Sequence, residues 1–473
     1  MLALLAGPAA GAEERLPPNI VLILTDDEDL LAHQHMPKTA RLIGDEGTTF
    51  DNYFVTYSFC CPSRATILRG QYPHNHRILG NRQPTGGARK FRDIGGDHST
   101  IATWLQAAGY HTALYGKYLN DYEPKQGYVP PGWDEWYASA NDWFDYVLNE
   151  NGTPVAYGNR PEDYLTDVLA RHATATIRRA VANQQPFFLY IAPTAPHAPA
   201  IPAPRHADLF EDVAYPLRPS FDEADVSDKP ALIRDLPPLS PWQKEAIQRH
   251  HRERLRSLQA VDDLVEQVVA TLAESAAIDH TYLVYTSDNG WHMGEHRQFV
   301  GKTTAYEEDI RVPLRVRGPG VPKGHRLTQL VINNDLAPSF ADMAGIAPPA
   351  FVDGRSFLPL LADPIRPWRT GFGIERRERE TQEIEGAATF DAIRTSRHLY
   401  VRYASGEIEL YDLDDDPYQL DNIAASADKT LLATLERRAS ALASCAGSYC
   451  REVEDLPLEP ELSLGAATPA KPG

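Results

Sequence analysis

The sequence predicts an α/β fold: a central, mainly parallel sheet flanked by helices, followed by a smaller C-terminal α+β unit. Three observations predict it. Asn19–Thr25, Phe187–Ala192 and 281–286 are short, continuous apolar runs rich in β-branched and aromatic residues, the pattern of strands buried on both faces. Helical periodicities alternate with these runs, as in parallel βαβ units. The chain has 473 residues, enough for one large domain and one small one. We expect the main domain over 13–368, the small unit over 369–455 and a Pro/Ala-rich tail over 456–473.

The elements follow in order. Residues 1–12 read as the apolar part of a secretory signal, with a small-x-small pattern at Ala10-Gly11-Ala12 but no positive n-region; a frayed apolar tail is the alternative. The first buried strand empties into Asp26-Asp27-Glu28-Asp29, at the strand end where open α/β sheets hold ligands. An acidic run can be a solvated turn, but this position equally suits a hard-cation site. A short helix is expected over 36–47 and a strand over 50–57, leading into Cys60-Cys61-Pro62-Ser63-Arg64. Ile67 and Leu68 suit the buried side of the helix that follows. Cys60 and Arg64 then stand near its N-terminus, where unpaired N–H groups favour an anion.

Ser99 or Thr100 caps a helix with Ile101, Trp104, Leu105 and Ala108 on one face, stopped by Gly109. A strand over 110–115 runs into Gly116-Lys117, and the 187–192 strand ends in Pro196-His197-Ala198-Pro199. The stretch 198–239 has no period, and a segment of that length suggests a wall or lid over a ligand. Ser240, Pro241 and Gln243 open a long helix to about residue 274, with Leu255, Leu258, Val261, Leu264 and Val265 on its apolar face. His250 and His251 are expected on its solvated side. The 281–286 strand leads to Ser287-Asp288-Asn289-Gly290, again polar groups at a strand's carboxyl end. A helix is expected from Asp335 to Met343, hairpin strands over 392–411 turning at Ser405-Gly406, and a helix over 429–443.

Composition narrows the function. With 46 basic and 65 acidic side chains the net charge is −19, which argues against a nucleic-acid partner. No apolar run reaches the length of a membrane span. The chain has four cysteines and no C-x-x-C pair, so a zinc site is not expected. Cys445 and Cys450 can close a local disulfide in an oxidising compartment or stand as two thiols at a helix end.

Asp26-Asp27, Cys60-Cys61-Pro62-Ser63-Arg64, Gly116-Lys117, Pro196-His197, Ser287-Asp288-Asn289-Gly290 and Gly301-Lys302 together resemble, in order and spacing, the type I (formylglycine-dependent) sulfatases. Leu410-Tyr411-Asp412-Leu413 extends the match into the small unit. The resemblance implies an alkaline-phosphatase-like fold and hydrolysis of sulfate monoesters, on an aryl sulfate or a sulfated sugar. It implies that Cys60 is converted to formylglycine by a formylglycine-generating enzyme and that Cys61 has no catalytic role. By the same resemblance Asp26, Asp27, Asp288, Asn289 and residue 60 hold Ca²⁺, with Mg²⁺ possible; all of the side-chain donors from the acids and amide are oxygens, as hard cations require. Arg64 holds the nucleophile, Lys117 and Lys302 clamp sulfate oxygens, and His197 donates a proton to the leaving alcohol. A secreted or periplasmic location follows.

The sequence departs from the arylsulfatase pattern at Leu119, where many members carry a histidine. Gly-Lys-Tyr-Leu-Asn and His74-Asn75-His76 look more like the N-acetylglucosamine-6-sulfatase branch. Asn120, His74, His76 and His296 are then candidates for polar contacts at the site. Two other readings stand beside this one: a phosphonate or phosphate ester hydrolase of the same superfamily, and a catalytically silent carbohydrate-binding relative.

Overall fold

The computed structural model describes residues 16–377 and 387–457. The apolar start and the tail from 458 onward, for which expectations are stated above, lie outside the described residues. Among these residues the large sheet has ten strands. From edge to edge they are His325–Leu327, Thr48–Phe50, Leu314–Arg317, Thr281–Ser287, Asn19–Thr25, Phe187–Ala192, His111–Lys117, Glu135–Ser139, Val147–Glu150 and Thr153–Ala156. The five strands from Thr281–Ser287 to Glu135–Ser139 are all parallel, and antiparallel strands flank them.

The central strand explains its own composition. Ile20, Leu22 and Leu24 face one apolar core, and Val21 and Ile23 face the other. Successive side chains alternate across a sheet, so a strand covered on both sides must be apolar throughout. The first core continues through Phe54 and Phe340 into Phe372, Ile393 and Leu410 of a four-stranded antiparallel sheet, Gly371–Arg376, Phe390–Thr395, His398–Tyr403 and Ile408–Asp412. The helix Lys429–Leu442 packs on that small sheet. Cys445 and Cys450 are disulfide-bonded.

The other core is covered by the helices Leu165–Ala182 and Pro241–Glu274. Ser240 and Gln243 form the expected reciprocal cap at the start of the longer one. The expected solvated face of that helix is corrected by the structure. His251 is buried, its ring 5.2 Å from Tyr215, and His250 lies 6.2 Å from Trp291. Tyr215 belongs to the aperiodic 198–239 stretch, which folds over this side of the helix and turns a polar face into an interface. Burial brings both histidines down to about 4, so they are neutral at physiological pH.

Other differences are local. The expected helix over 36–47 is a turn at Pro37–Thr39 followed by a π-helical turn at Ala40–Gly44. The expected strand over 50–57 is two short pieces, Thr48–Phe50 and Tyr53–Phe54, in different sheets.

Candidate active site

The carboxyl ends of the parallel strands converge on Cys60. Asp26 and Asp27 follow the central strand directly, Asp288 and Asn289 follow Thr281–Ser287, and Lys117 ends His111–Lys117. His197 lies on the loop after Phe187–Ala192. Cys60 begins the helix Cys60–Arg69, with Arg64 one turn further along. Lys302 arrives from the loop after Asn289. All nine residues expected at the site are therefore brought together.

Their contacts form one network. Cys60 Sγ lies 3.7 Å from Asp26 Oδ1, 3.9 Å from Asp27 Oδ1 and 2.7 Å from Lys302 Nζ. Lys302 Nζ also donates to Asp27 Oδ1, and Lys117 Nζ donates to Asp26 Oδ2 at 2.5 Å. Arg64 Nε donates to Asp288 Oδ2 at 2.7 Å, and its Nη1 donates to the Lys117 carbonyl at 2.9 Å. Asp288 Oδ1 accepts from the Asp27 N–H at 3.1 Å, and Asn289 Nδ2 donates to Asp27 Oδ1 at 2.7 Å. The three acids are fully buried, while Arg64, Lys117 and Lys302 are 0%, 3% and 8% exposed, so these charges interact with little screening by water.

Burial would raise the Asp26 carboxyl, but Lys117, His197 and Arg64 outweigh it and bring Asp26 down to about 2. Asp27 is also lowered, against its own burial, chiefly by Lys302. Burial pushes the Cys60 thiol up to about 12 despite both lysines. An unmodified Cys60 is therefore a protonated thiol at neutral pH, a poor nucleophile.

Two glycines let the backbones meet. Gly116 has φ +102°, and a Cβ there would sit 2.1 Å from the Ala192 carbonyl oxygen. A Cβ on Gly290 would sit 2.0 Å from the Glu308 carbonyl oxygen. Gly290 is thus needed for close approach, which seats Asp288 and Asn289 against the 304–309 loop.

His197 is the most exposed member, its side chain 24% accessible, with Nε2 3.7 Å from Asp27 Oδ2. Its Nδ1 lies 2.6 Å from the Ala198 carbonyl, which can only accept, so Nδ1 carries a hydrogen and Nε2 faces the acids. Asn141 Nδ2 stands 3.2 Å from the ring nitrogens. The sequence reading missed Asn141, and nothing in its local pattern marks it.

The side chains suggested in place of a histidine at Leu119 belong elsewhere. Leu119 is buried in the apolar core beside Tyr118. His74 bonds Glu375 and the Cys445 carbonyl, His76 bonds Thr66, and His296 bonds Glu223. Both ring nitrogens of His74 and His76 are satisfied by the scaffold, whereas His296 Nε2 is buried without a hydrogen-bond partner. Asn120 Oδ1 is buried without a hydrogen-bond partner.

The arrangement suits a hard divalent cation. Ligand oxygens of Asp26, Asp27 and Asp288 lie within 4.8 Å of one another, and Asp27 Oδ2 and Asn289 Oδ1 are buried with no hydrogen-bond partner. Orphaned buried oxygens are costly unless something coordinates them. Beside Lys302 a cavity of about 420 Å³ opens, lined by Trp291, Phe299, Phe390, Tyr403 and, from the aperiodic stretch, Leu232 and Leu236. That stretch therefore does form part of a wall.

Comparison with known proteins agrees with this layout. The sulfatase family model matches residues 18–346, and a model of the N-sulphoglucosamine sulphohydrolase C-terminal region matches 294–444. The arylsulfatase of Volvox carteri is 36% identical, covering 98% of this chain and 80% of that protein. The N-acetylglucosamine-6-sulfatase of Capra hircus is 35% identical, covering 94% of this chain and 87% of that protein. A solved structure described as a complex with its substrate D-glucosamine-2-N,6-O-disulfate shares the fold, with a TM-score of 0.76 at 24% identity over 90% of this chain and 97% of that one. The fold is the alkaline-phosphatase-like one that the motifs imply, and the chain belongs to the sulfatase family.

Proposed function

We propose that this sulfuric ester hydrolase acts with residue 60 in its formylglycine form and with a Ca²⁺ ion, or Mg²⁺, held by Asp26, Asp27, Asp288 and Asn289. Its substrate is a sulfate monoester of a sugar or an aryl alcohol. The observation that carries the reading is the meeting of three buried carboxylates and three cations around Cys60 at the carboxyl ends of the strands.

A bound divalent cation would draw charge from a sulfate oxygen and ease ionisation of a neighbouring hydroxyl. As an aldehyde hydrate, residue 60 would supply the hydroxyl nucleophile that a thiol cannot. The chain's own residues do the rest. Arg64 fixes Asp288 and the Lys117 backbone, and so holds the helix of residue 60 against the acids. Lys302 points its ammonium group at Cys60 and Lys117 points its own at Asp26 beside it, and both hold sulfate oxygens there. His197, protonated on Nε2, gives its proton to the leaving oxygen. The cavity beside Lys302 takes the leaving alcohol, and its aromatic walls suit an aryl or sugar ring.

The same reading divides the chain into a catalytic part over 13–368 and a small C-terminal part over 369–455. It also makes a formylglycine-generating enzyme a necessary partner. A secreted or periplasmic location fits the Cys445–Cys450 disulfide. Among the described residues no helix is long and apolar enough to cross a membrane.

The test is expression with and without a formylglycine-generating enzyme. Peptide mass around residue 60 is then measured, and turnover of nitrophenyl sulfate is compared with its phosphate and phenylphosphonate analogues. Thiol-to-aldehyde conversion with sulfate turnover is expected. Turnover dominated by a phosphorus ester, or none from fully converted protein supplied with Ca²⁺, would overturn the proposal.

A further inference from the structure

Arg254 belongs to no motif of the sequence, yet it is fully buried on the long helix Pro241–Glu274 and reaches the loops that carry the site. Its Nη2 donates to the Asp27 carbonyl at 2.6 Å and to Asp29 Oδ2 at 2.6 Å, and its Nη1 donates to the Pro196 carbonyl at 3.3 Å. Its guanidinium carbon stands 5.7 Å from the centre of the Trp291 ring. Three segments therefore meet on one planar cation: the end of the central strand, the loop before His197 and the loop after Asn289.

Asp27 shows why this matters. It is a non-glycine residue at φ +67°, in the left-handed region that few L residues other than Asn and Asp adopt. Its N–H is held by Asp288 Oδ1 and its C=O by Arg254, so both ends of the residue are fixed and its carboxylate is left facing Cys60. Asp29 supplies the counter-charge. Its Oδ2 pairs with Arg254, while its Oδ1 accepts from the Leu31 and Ala32 N–H groups and caps the next helical turn.

We infer that Arg254 is a positioning residue that sets Asp27 and His197 relative to each other by clamping the backbones of residues 27 and 196. Its importance for catalysis rests on the roles proposed above for Asp27 and His197. A lysine could not replace it, because one ammonium cannot span two carbonyls and a carboxylate as a rigid fork does.

The experiment uses the full-length, matured enzyme and the variants Arg254→Lys and Arg254→Ala. Hydrogen exchange is the first measurement, since it needs neither metal nor substrate. In Arg254→Lys, exchange should quicken over 26–32 and 194–200 while the small sheet is unchanged. Calorimetry should show Ca²⁺ binding roughly 10–100-fold weaker, the range for loss of a group that orients metal ligands. Turnover should fall about 100-fold in kcat with a smaller change in KM, and added guanidinium should restore part of the kcat of Arg254→Ala.

Native exchange in both segments, or wild-type Ca²⁺ affinity and kcat in Arg254→Lys, would overturn the inference. So would a lowered Tm with kcat intact per folded molecule. If Arg254→Ala does not fold, Arg254→Lys decides the matter. A wild-type enzyme that turns over no sulfate ester refutes the proposed function instead, and the exchange result still judges Arg254.

Discussion

At the scale of single residues, charge balance governs the site. Asp26, Asp27 and Asp288 face Arg64, Lys117 and Lys302, so the cluster is close to neutral by itself. A sulfate monoester brings one more negative charge, and a divalent cation among the acids would leave the site attractive to it. His197 stands apart because it is partly exposed and points Nε2 inward. Its proposed task as proton donor depends on how badly the leaving oxygen needs a proton. We therefore expect His197→Gln to cut kcat for an alkyl or sugar sulfate by about 10²–10⁴-fold, and to cut it much less for nitrophenyl sulfate, whose leaving group departs as an anion. Steady-state kinetics on the two substrates check this, and equal losses on both would remove the proton-donor role. The convergence of the nine expected residues was legible because each sits at a strand end, a helix start or a loop with a recognisable neighbour. Arg254 and Asn141 were not. A charged residue beside an apolar helical face gives no sign of which distant carbonyls it meets, and Asn141 meets His197 only through tertiary folding.

At the scale of elements, close backbone approach and one pH-sensitive contact lend themselves to measurement. Gly290 seats the Asp288–Asn289 turn against Glu308, and the backbone bonds from Gly290 to Asp309 and from Trp291 to Glu308 are both 2.9 Å. Gly290→Ala must push the 288–291 loop and the helical turn Glu307–Ile310 apart, with a loss of about 1–3 kcal/mol in denaturant unfolding and weaker Ca²⁺ binding in calorimetry. His74 and Glu375 join the helical turn after Cys60–Arg69 to the small sheet at 2.8 Å. Burial alone would lower His74, but Glu375 and the Cys445 carbonyl raise it above its ordinary 6.5. Burial would raise Glu375, but His74 and Arg377 lower it below 4.5. The His74 contribution is therefore complete below 6.5 and fades as pH rises through the raised value, whereas that of Glu375 fades only in acid, as pH falls through its lowered one. We expect His74→Ala to cost more stability near about pH 5.5 than near about pH 8.5, read from urea unfolding at both.

The same scale shows where pattern reading stops. The continuous runs 19–25 and 187–192 were legible because burial on both faces leaves no polar position in them. Leu314–Arg317 alternates buried and half-exposed residues over four positions, and Thr153–Ala156 is mostly exposed. Segments that short carry too few side chains to declare a period. Leu165–Ala182 could have been read, since Leu165, Val168, Leu169, Ala173 and Ile177 recur at helical spacing.

At the scale of the whole molecule, metal and fold are linked. Asp26, Asp27 and Asp288 come from two neighbouring central strands, so an ion that binds them ties the middle of the sheet together. Ca²⁺ at roughly 100 times its Kd should add about 2.7 kcal/mol to the unfolding free energy, lost on adding a chelator and restored on returning the ion. Unfolding curves unmoved by Ca²⁺ would count against an ion in that place.

The central strand also sets a clock. Asn19–Thr25 is made first but lies between Phe187–Ala192 and Thr281–Ser287, so the middle of the sheet stays open until the last of these has been synthesised. Ribosomes add roughly 5–20 residues per second, which leaves residue 60 accessible for roughly 10–45 s after it emerges. Once the sheet closes, Cys60 is 1% exposed beneath Lys302 and out of reach of another protein. The proposed conversion of Cys60 is then a race against folding. A peptide spanning residues 56–70 should be converted readily by a formylglycine-generating enzyme, and the folded thiol form should resist it until unfolded.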